Sequence, residues 1–482
     1  MSTFSDLLKQ HINDKGISVR KLSMELEIDR TLLQKYMSGS RTPKNHLEVR
    51  KIAKGISLSS AEQDDLLETY YESIYAPEKY GDFLMIRNVL AGTQDFRLDL
   101  DELPPASEAL PVLPSFPEAE THSGTLQVEY AFTSFLKEAC TDAVAQPVML
   151  YAMLQPRHIQ LMRLIMLHTA GQNVQIEQLI CLEQHRSNGN LSTLLPVIAL
   201  FMNDSKYHCR YYYDDMKAHV NQMTLFPVLL LTENAAFLSN YHCDSCCIIR
   251  NKAIVEFFRQ QYASLSQSSE ELGIPLQFFT EYTTRCVDYF HVGDSVEVYS
   301  YSPLFSFGMT EEMLLSHLTI DDAGKALFMQ SIEHEFGIMK AAHGMIEFYE
   351  KDALREFMES GEFPAFPPPE GFYRRPAMDV RLQIMRELIH LNQIGLLISH
   401  MSDHTYFRLS KENQIISNAL QGDIEIRCQP YARSTSVLLR EPNLCNTLHE
   451  FGEFALTNNW FHSQEETVAY MQALVDEFSS QG

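Results

Sequence analysis

The chain has 482 residues, of which 45% are hydrophobic, so it is too long for one core and is expected to form two or three domains. No segment approaches the 18 or more apolar residues of a membrane span, and the polar start MSTFSDLLKQ lacks a signal-peptide core. We therefore expect a cytoplasmic protein with no membrane partner. The nine cysteines are an odd number and mostly isolated, which suits reduced thiols better than a disulfide framework.

The net charge of -25 is unevenly distributed along the chain. Residues 1–60 contain 11 Lys and Arg against 6 Asp and Glu, a net of +5, whereas the remaining residues contain 27 against 57, a net of -30. An acidic body is repelled by polyanionic DNA. Any DNA contact is therefore expected at the N-terminal end.

Apolar spacings of three and four residues predict two short helices at the start of the chain. The first runs from Thr3 to Asp14 and ends before Gly16. Ser18 can cap the second, which carries Leu22 and Leu26 toward the core.

Asp29 can cap a third helix, which runs from Arg30 to about Met37 and faces the core through Leu33 and Tyr36. Its other side chains can reach phosphates or base edges, and these are Arg30, Thr31, Gln34 and Lys35. Further helices are predicted after the turn that ends at Pro43: one carries Leu47, Ile52 and Ala53 inward, and the next covers Ser60–Tyr75.

The segment GISVRKLSMELEIDRTLLQKYMSGSRTP, Gly16 to Pro43, resembles the lambda-repressor-like, or Xre, helix-turn-helix family. In that family the second helix of the pair lies in the major groove with its first residues on base edges. The resemblance implies that three side chains read bases, namely Arg30, Thr31 and Lys35, with Gln34 a weaker candidate whose register lies closer to the core. It also implies that three others hold phosphates, namely Ser18, Arg41 and Lys44.

Glu27 occupies the turn position that this family often fills with glycine, so the resemblance implies either a less favoured backbone there or a slightly different turn. The alternative interpretation is a small helical bundle that contacts proteins. The concentration of the chain's basic charge in this segment favours DNA.

Five prolines between Leu103 and Gly124, mixed with acidic and small residues, indicate a linker. We divide the chain into a helix-turn-helix domain at 1–75, a connecting helix and linker at 76–125, and two further parts. These are an α/β effector or sensor half at 126–300 and a second α/β half at 301–482.

Strands and helices alternate after the linker, which predicts a parallel-rich α/β sheet. The predicted strands are Pro147–Leu154, Val174–Leu182, Tyr207–Tyr213, Pro227–Thr232 and Cys246–Arg250. The predicted helices are Arg157–Thr169, Leu191–Met202 and Lys252–Leu265.

A related order recurs near the C-terminus, with predicted strands Tyr406–Leu409, Ile424–Cys428 and Ser436–Arg440 and a helix Asn443–Leu456. The order is similar to the pseudo-two-fold phospholipase-D-like fold that some bacterial regulators use as a sensor or dimer body. Convergent strand–helix patterning gives the same picture, so the two α/β halves are either a duplication or a coincidence. Ser463 and Glu466 predict a capped final helix.

Catalytic motifs are missing from the sequence. A phospholipase-D-like active half needs a nucleophilic His with a Lys two residues later, and no His-x-Lys occurs. Phosphate loops, dinucleotide turns, nucleophile elbows and zinc-helix motifs are also absent. We therefore predict that the chain is not an enzyme and has no catalytic residues and no cofactor.

Cys243, Cys246 and Cys247 lie close together beside His242, and Cys-x-x-Cys with His can supply three soft ligands for zinc. A structural site needs a fourth ligand, and no second Cys-x-x-Cys exists. We therefore predict no metal and interpret the group as free cysteines at the start of a buried strand, with metal or redox sensing as the alternative.

The sequence thus predicts a transcriptional regulator that binds double-stranded operator DNA as a homodimer, with a body that senses an unknown small-molecule or peptide effector. The rival is an enzyme or defence effector whose helix-turn-helix domain targets or regulates an unrecognised catalytic body. A protein-interaction scaffold is the third alternative. The effector, the operator and the direction of regulation are left open.

Overall fold

The computed structural model describes residues 3–75, 77–92, 118–143, 147–154, 159–169, 172–182, 187–203, 206–214, 227–277, 296–326, 329, 344–363, 374–403, 408–418, 422–428 and 435–480. The chain divides into two compact units. One is Met1–Ile86 with Phe451–Trp460, and the other is Arg87–Glu450 with Phe461–Gly482. Most of the Pro-rich segment predicted as a linker lies outside the described residues.

The first unit is helical throughout its described residues. Its helices are α1 Phe4–Asp14, α2 Val19–Glu25, α3 Arg30–Met37, α4 His46–Gly55, α5 Ser60–Ile74 and α6 Pro77–Leu90, of which α6 continues past Ile86. Local capping explains where several helices begin: Thr3 and Ser59 each form a capping box, and Ser18, Asp29 and Asn45 each accept a backbone N–H. The helix starts predicted at Thr3, Ser18 and Asp29 are confirmed.

A distant segment of the chain completes the core of the first unit. The ring of Phe454 stacks on Phe83 at 4.8 Å between centroids and meets Tyr71 edge-on at 5.2 Å. Trp460 packs edge-on against Phe454 at 5.0 Å. Aromatic pairs of this geometry stabilise a core beyond the area they bury. The tyrosines of α5 are therefore packing residues.

The second unit contains two mixed β-sheets. The strands of the first are β1 Ala119–Ser123, β2 Val148–Met153, β3 Val174–Leu182, β4 Tyr207–Tyr213, β5 Val228–Leu231, β6 Ala236–Ser239, β7 Ser245–Ile249 and β8 Glu270–Glu271. They lie in the order β1-β7-β6-β5-β2-β3-β4-β8. The helices between these strands are α7 Thr125–Asp142, α8 Ile159–Thr169, α9 Ser187–Asn203 and α10 Lys252–Gln267.

The strands of the second sheet are β9 Gly273–Gln277, β10 Val296–Tyr299, β11 Met345–Glu350, β12 Leu397–Ser402, β13 Asn413–Asn418, β14 Asp423–Cys428 and β15 Thr435–Arg440. They lie in the order β12-β11-β10-β13-β14-β15-β9. The helices of this part are α11 Glu311–His317, α12 Lys351–Ser360, α13 Met378–Gln393, α14 Pro442–Thr457 and α15 Gln464–Ser479, with a 3-10 turn at Phe305–Gly308. The capping box predicted at Ser463 and Glu466 is confirmed.

The two sheets repeat one topology. In each, three consecutive strands are parallel neighbours, β2-β3-β4 in one sheet and β10-β11-β12 in the other. In each, the first of these strands pairs antiparallel with a three-strand meander, β5-β6-β7 or β13-β14-β15. In each, a preceding strand, β1 or β9, pairs antiparallel with the last meander strand. The two sheets therefore share a strand order, and the second sheet begins with β9 and β10, ahead of the boundary expected at residue 301.

The expectation of a parallel-rich sheet is wrong, because antiparallel pairs outnumber parallel ones in both sheets. The sequence showed the strand–helix alternation of β2 to β4 but not the meander that follows. β6 was missed: its four residues lie between the predicted strands Pro227–Thr232 and Cys246–Arg250, in a run too short to show an alternation of its own. β1 was also missed, and it lies at the end of the predicted linker.

Two smaller expectations are also corrected. Arg408 and Leu409, the described part of the strand predicted at Tyr406–Leu409, are not in a strand, because the Leu409 N–H donates to the buried carboxylate of Glu350. Leu47 was expected in the core of α4, but its side chain is 53% exposed. Among the described residues, no helix combines the length and apolarity that a membrane span requires.

A carboxyl group is buried in the core of the second half. Glu347, on β11, accepts the Leu304 N–H (3.0 Å) and faces the hydroxyl of Ser399 (3.4 Å). Asn392 of α13 accepts the Ser399 N–H through its Oδ1 and donates from its Nδ2 to the Ser399 hydroxyl oxygen. Burial raises the pKa of Glu347 to about 7, because these few donors do not replace water around a charge.

Candidate nucleic-acid interface

The α2–α3 connection is built from local backbone chemistry. The Ser18 Oγ accepts the Lys21 N–H at 3.1 Å and begins α2, and the Asp29 carboxylate accepts the Leu32 N–H at 3.0 Å and begins α3. Between the helices Glu27 has a φ of +52°, in the left-handed region that favours glycine. Of the two outcomes that the sequence allowed at Glu27, the structure has the less favoured backbone.

The inner side of α3 is fixed against the first unit. Leu33 and Tyr36 are buried, as predicted. The Tyr36 hydroxyl donates to Glu48 Oε1 at 3.0 Å, and Glu48 Oε2 accepts the Lys44 N–H at 2.9 Å. Burial and the neighbouring Glu48 raise the pKa of Tyr36 to about 12, so this phenol remains a donor. The orientation of α3 is therefore held by both apolar packing and a partly buried hydrogen-bond pair.

The seven predicted contact residues are all exposed on the first unit, and they are Ser18, Arg30, Thr31, Gln34, Lys35, Arg41 and Lys44. Arg30, Thr31, Gln34 and Lys35 belong to α3, and Arg30 is its first residue. Gln34 was expected closer to the core, but it is exposed, like Arg30, Thr31 and Lys35.

The turn after α3 places Arg41 near the end of this helix. The Arg41 N–H donates to the Lys35 carbonyl oxygen at 3.3 Å, and the hydroxyls of Ser38 and Ser40 also donate to that oxygen. Gly39, within this turn, has a φ of +72°, which a residue with a Cβ rarely adopts. The backbone of Arg41 is thereby tied to Lys35.

The cations of this surface are not neutralised within the described residues. No ion pair in the described part of the chain involves Arg30, Lys35, Arg41 or Lys44, whereas Lys15 and Lys21 of the same unit pair with Glu62 and Glu25. An exposed cation without an acidic partner can approach a phosphate without first losing an ion pair. The described surface therefore presents four exposed cations that form no ion pair with a described residue.

Sequence reasoning missed the contribution of residues 451–460 to this unit. Their aromatic side chains pack against α5 and α6, but nothing local in the sequence connects them with the N-terminal helices. The signal in the sequence was the pair of tyrosines on α5, Tyr70 and Tyr71, which indicated that this helix packs against a further aromatic partner.

The cysteine group of the second unit lies in and beside β7. Cys246 is buried and Cys247 partly buried, and burial raises the pKa of Cys246 to about 12 and also raises that of Cys247. Metal binding and nucleophilic attack both need the thiolate, which burial disfavours here. Within the described residues, no group of three His, Cys, Asp or Glu side chains is arranged to hold a metal ion.

No protein-family model matches this sequence, and no curated protein matches it. Among solved structures, it is similar to TrmBL2, an archaeal chromatin protein described as having a novel mode of DNA binding. The identity is 13%, the match covers 46% of this chain and 72% of TrmBL2, and the TM-score is 0.24.

Two further solved structures are similar to the chain. Phosphatidylserine synthase from Haemophilus influenzae Rd KW20 is 10% identical over 75% of this chain and 93% of its own, with a TM-score of 0.21. Polyphosphate kinase from Porphyromonas gingivalis is 9% identical over 75% of this chain and 56% of its own, also with a TM-score of 0.21. At these TM-scores none of the three establishes a common fold with this chain.

The prediction that the chain is not an enzyme is contradicted by these comparisons, because two of the similar structures are enzymes by name. That prediction was based on the absence of known catalytic motifs. An active site built from residues outside those motifs is not found by searching for them. The similarity assigns no reaction to this chain.

Proposed function

We propose that this protein is a sequence-specific transcriptional regulator that binds double-stranded operator DNA through a helix-turn-helix formed by α2 and α3. The observation that carries the proposal is the outer side of α3, where Arg30 and Lys35 are exposed and without ion pairs among the described residues. Net positive charge within residues 1–60 supports the same surface, because the rest of the chain is strongly acidic.

Different side chains of this surface have different proposed roles. Arg30, Thr31 and Lys35 contact base edges in the major groove, and the exposure of Gln34 adds it to this group. Ser18, Arg41 and Lys44 contact phosphates, which set the register of the protein on the duplex. Ser18 uses its oxygen as the acceptor for the Lys21 N–H, so its hydroxyl hydrogen remains available to a phosphate.

The acidic second unit is proposed to dimerise the protein and to sense a small-molecule or peptide effector. One small helical module buries too little DNA for strong specificity, and a two-fold pair of modules on a palindromic site is the usual solution. The strand order that the two sheets share agrees with the duplicated body that the sequence resemblance implies.

The first experiment selects genomic fragments on the purified full-length protein and identifies them by sequencing. We expect a palindromic site to be enriched, and we expect the double variant Arg30→Ala with Lys35→Ala to lose that enrichment. On the selected site, Arg30→Ala is expected to weaken binding by about 1–3 kcal/mol and to relax one base position. Lys44→Ala, at a proposed phosphate contact, is expected to lower the slope of log affinity against log salt by about 1.

The matched control is the double variant Lys51→Ala with Lys54→Ala, which removes the same charge from exposed positions of α4. This variant should bind DNA less tightly, because it carries less positive charge, but it should still select the same DNA sequence. Unchanged affinity and sequence preference in the Arg30 and Lys35 variant would show that α3 is not the reading helix.

A further inference from the structure

Glu48 is an acidic residue beside Lys44, one of the proposed phosphate contacts. Its carboxylate accepts the Tyr36 hydroxyl on Oε1 at 3.0 Å and the Lys44 N–H on Oε2 at 2.9 Å. Tyr36 belongs to α3, and Lys44 lies in the segment that leads into α4. One carboxylate therefore links the proposed reading helix to a proposed phosphate contact.

Three other helices of this chain use the equivalent acidic residue in a different way. In α1, α5 and α15, the acid at the third helical position accepts the backbone N–H of the capping residue. These acids are Asp6, Glu62 and Glu466. Glu48 has the same position in α4, where Asn45 is the cap and accepts the Glu48 N–H at 3.0 Å. Its carboxylate instead reaches the residue before the cap and a tyrosine of another helix, which capping of α4 alone does not require.

The segment between α3 and α4 is itself tied to the first unit. The Tyr70 hydroxyl of α5 donates to the carbonyl oxygen of the buried Pro43 at 3.3 Å. Glu48 of α4 holds the next backbone N–H, that of Lys44, so two helices fix the chain at this point. The Tyr36 hydroxyl connects α3 to the same point, near the end of the helix.

Base reading depends on how α3 is rotated about its own axis. Apolar packing of the buried Leu33 and Tyr36 has no preferred direction, whereas a hydrogen bond does. A rotation of about 20° displaces the tip of a long side chain by about 2–3 Å, more than a hydrogen bond to a base edge tolerates. The bond from Tyr36 to Glu48 therefore limits a rotation that would misplace Arg30 and Lys35.

Glu48 also carries a charge that opposes DNA binding. A carboxylate so close to a phosphate contact repels the DNA backbone, whatever the base sequence. Removal of this charge is expected to strengthen binding to any duplex, whereas loss of the two hydrogen bonds is expected to weaken the preference for one sequence. The two effects have opposite signs, so a single variant can separate them.

We propose that Glu48 is a positioning residue for sequence recognition, whose carboxylate sets α3, through Tyr36, relative to the phosphate contact at Lys44. This inference rests on the proposed function, since it concerns how α3 reads an operator. Glu48 thereby determines discrimination between sequences and not the general affinity for DNA.

The test measures the affinity of full-length variants for two duplexes, the site that the wild-type protein selects and a scrambled duplex of the same composition. Tyr36→Phe removes the hydroxyl without a change of charge. We expect discrimination between the duplexes to fall about tenfold, as for the loss of one hydrogen bond to a charged group, while affinity for the scrambled duplex stays at the wild-type value.

Glu48→Gln tests the other end of the link. The amide keeps one acceptor oxygen, but its nitrogen cannot accept the Lys44 N–H. Discrimination should again fall about tenfold, while affinity for the scrambled duplex should rise because a negative charge is lost. The double variant should lose no more discrimination than either single variant, since a link that is broken at one end no longer holds α3.

The control is Glu68→Gln, which makes the same change of charge at an exposed position of α5 and should leave discrimination at the wild-type value. Wild-type discrimination in Tyr36→Phe or Glu48→Gln would overturn the inference and leave α3 as the reading helix. Loss of affinity for both duplexes would overturn it too, because it would show a role in folding only. A wild-type protein that selects no sequence would contradict the proposed function itself.

Discussion

At the scale of single residues, Glu347 makes a pH-dependent contribution to stability. Its pKa is raised to about 7 in the folded chain and returns to about 4.5 on unfolding, so the unfolded state releases a proton that the folded state retains. Stability from this group is fully present below pH about 4.5 and is lost as the pH rises to 7. Glu347→Gln removes the titration, so its stability relative to wild type should rise by about 3 kcal/mol across that interval.

Urea unfolding of both proteins at several pH values measures this difference directly. The amide oxygen of the variant can still accept the Leu304 N–H, so the fold should persist. Glu312→Gln, the same substitution at an exposed position of α11, is the control. A flat difference for Glu347→Gln would mean that Glu347 is ionised in the folded protein.

Glu27 is a second residue with a local effect on stability, because its backbone conformation is unfavourable. Its φ of +52° crowds the Cβ of any residue except glycine. We therefore expect Glu27→Gly to stabilise the first unit by about 1 kcal/mol, while Glu27→Ala, which keeps the Cβ, should give no gain. Hydrogen exchange of the α2 and α3 amides measures the effect. Equal exchange rates in the two variants would contradict a strained turn.

At the scale of elements, local signals predicted the helices well. Caps such as Ser18 and Asp29 act within three residues, so the sequence contains all that is needed to locate those helix starts. The register of α3 was less certain, because in an eight-residue helix a small rotation moves a side chain such as Gln34 from the core edge to solvent. The exposed cations of the candidate site were therefore predictable, while the exposure of Gln34 was not.

Strands that depend on distant partners were harder to predict. β1, with the sequence AETHS, has no apolar alternation, and it exists because its backbone pairs with β7, from Ala119 opposite Ile249 to Ser123 opposite Ser245. The opposite error occurred at Leu409, where an apolar pattern suggested a strand but the backbone bonds the Glu350 side chain. Pairing and side-chain capture are tertiary effects, which periodicity does not contain.

At the scale of the whole molecule, the N-terminal helices and the C-terminal part of the chain share one core. The last residues of α14 belong to the first unit, where Phe454 is 3% exposed. Its ring lies among those of Tyr71, Tyr75, Tyr80, Phe83 and Trp460. A fragment that ends after α6 would expose this aromatic surface. We therefore expect the isolated N-terminal helices to be less stable than the same helices in the full chain.

Phe454→Ala tests this dependence in the intact protein. Removing a buried phenylalanine from a packed core costs about 3–5 kcal/mol, because the cavity is only partly refilled. Hydrogen exchange should accelerate in the amides of α4 and α5, and operator affinity should fall although residue 454 lies far from α3 in the sequence. Phe357→Ala, at an equally buried position of the second unit, should accelerate exchange in α12 and α13 instead. If Phe454→Ala left α4 and α5 protected, the N-terminal helices would be stable without the distant segment.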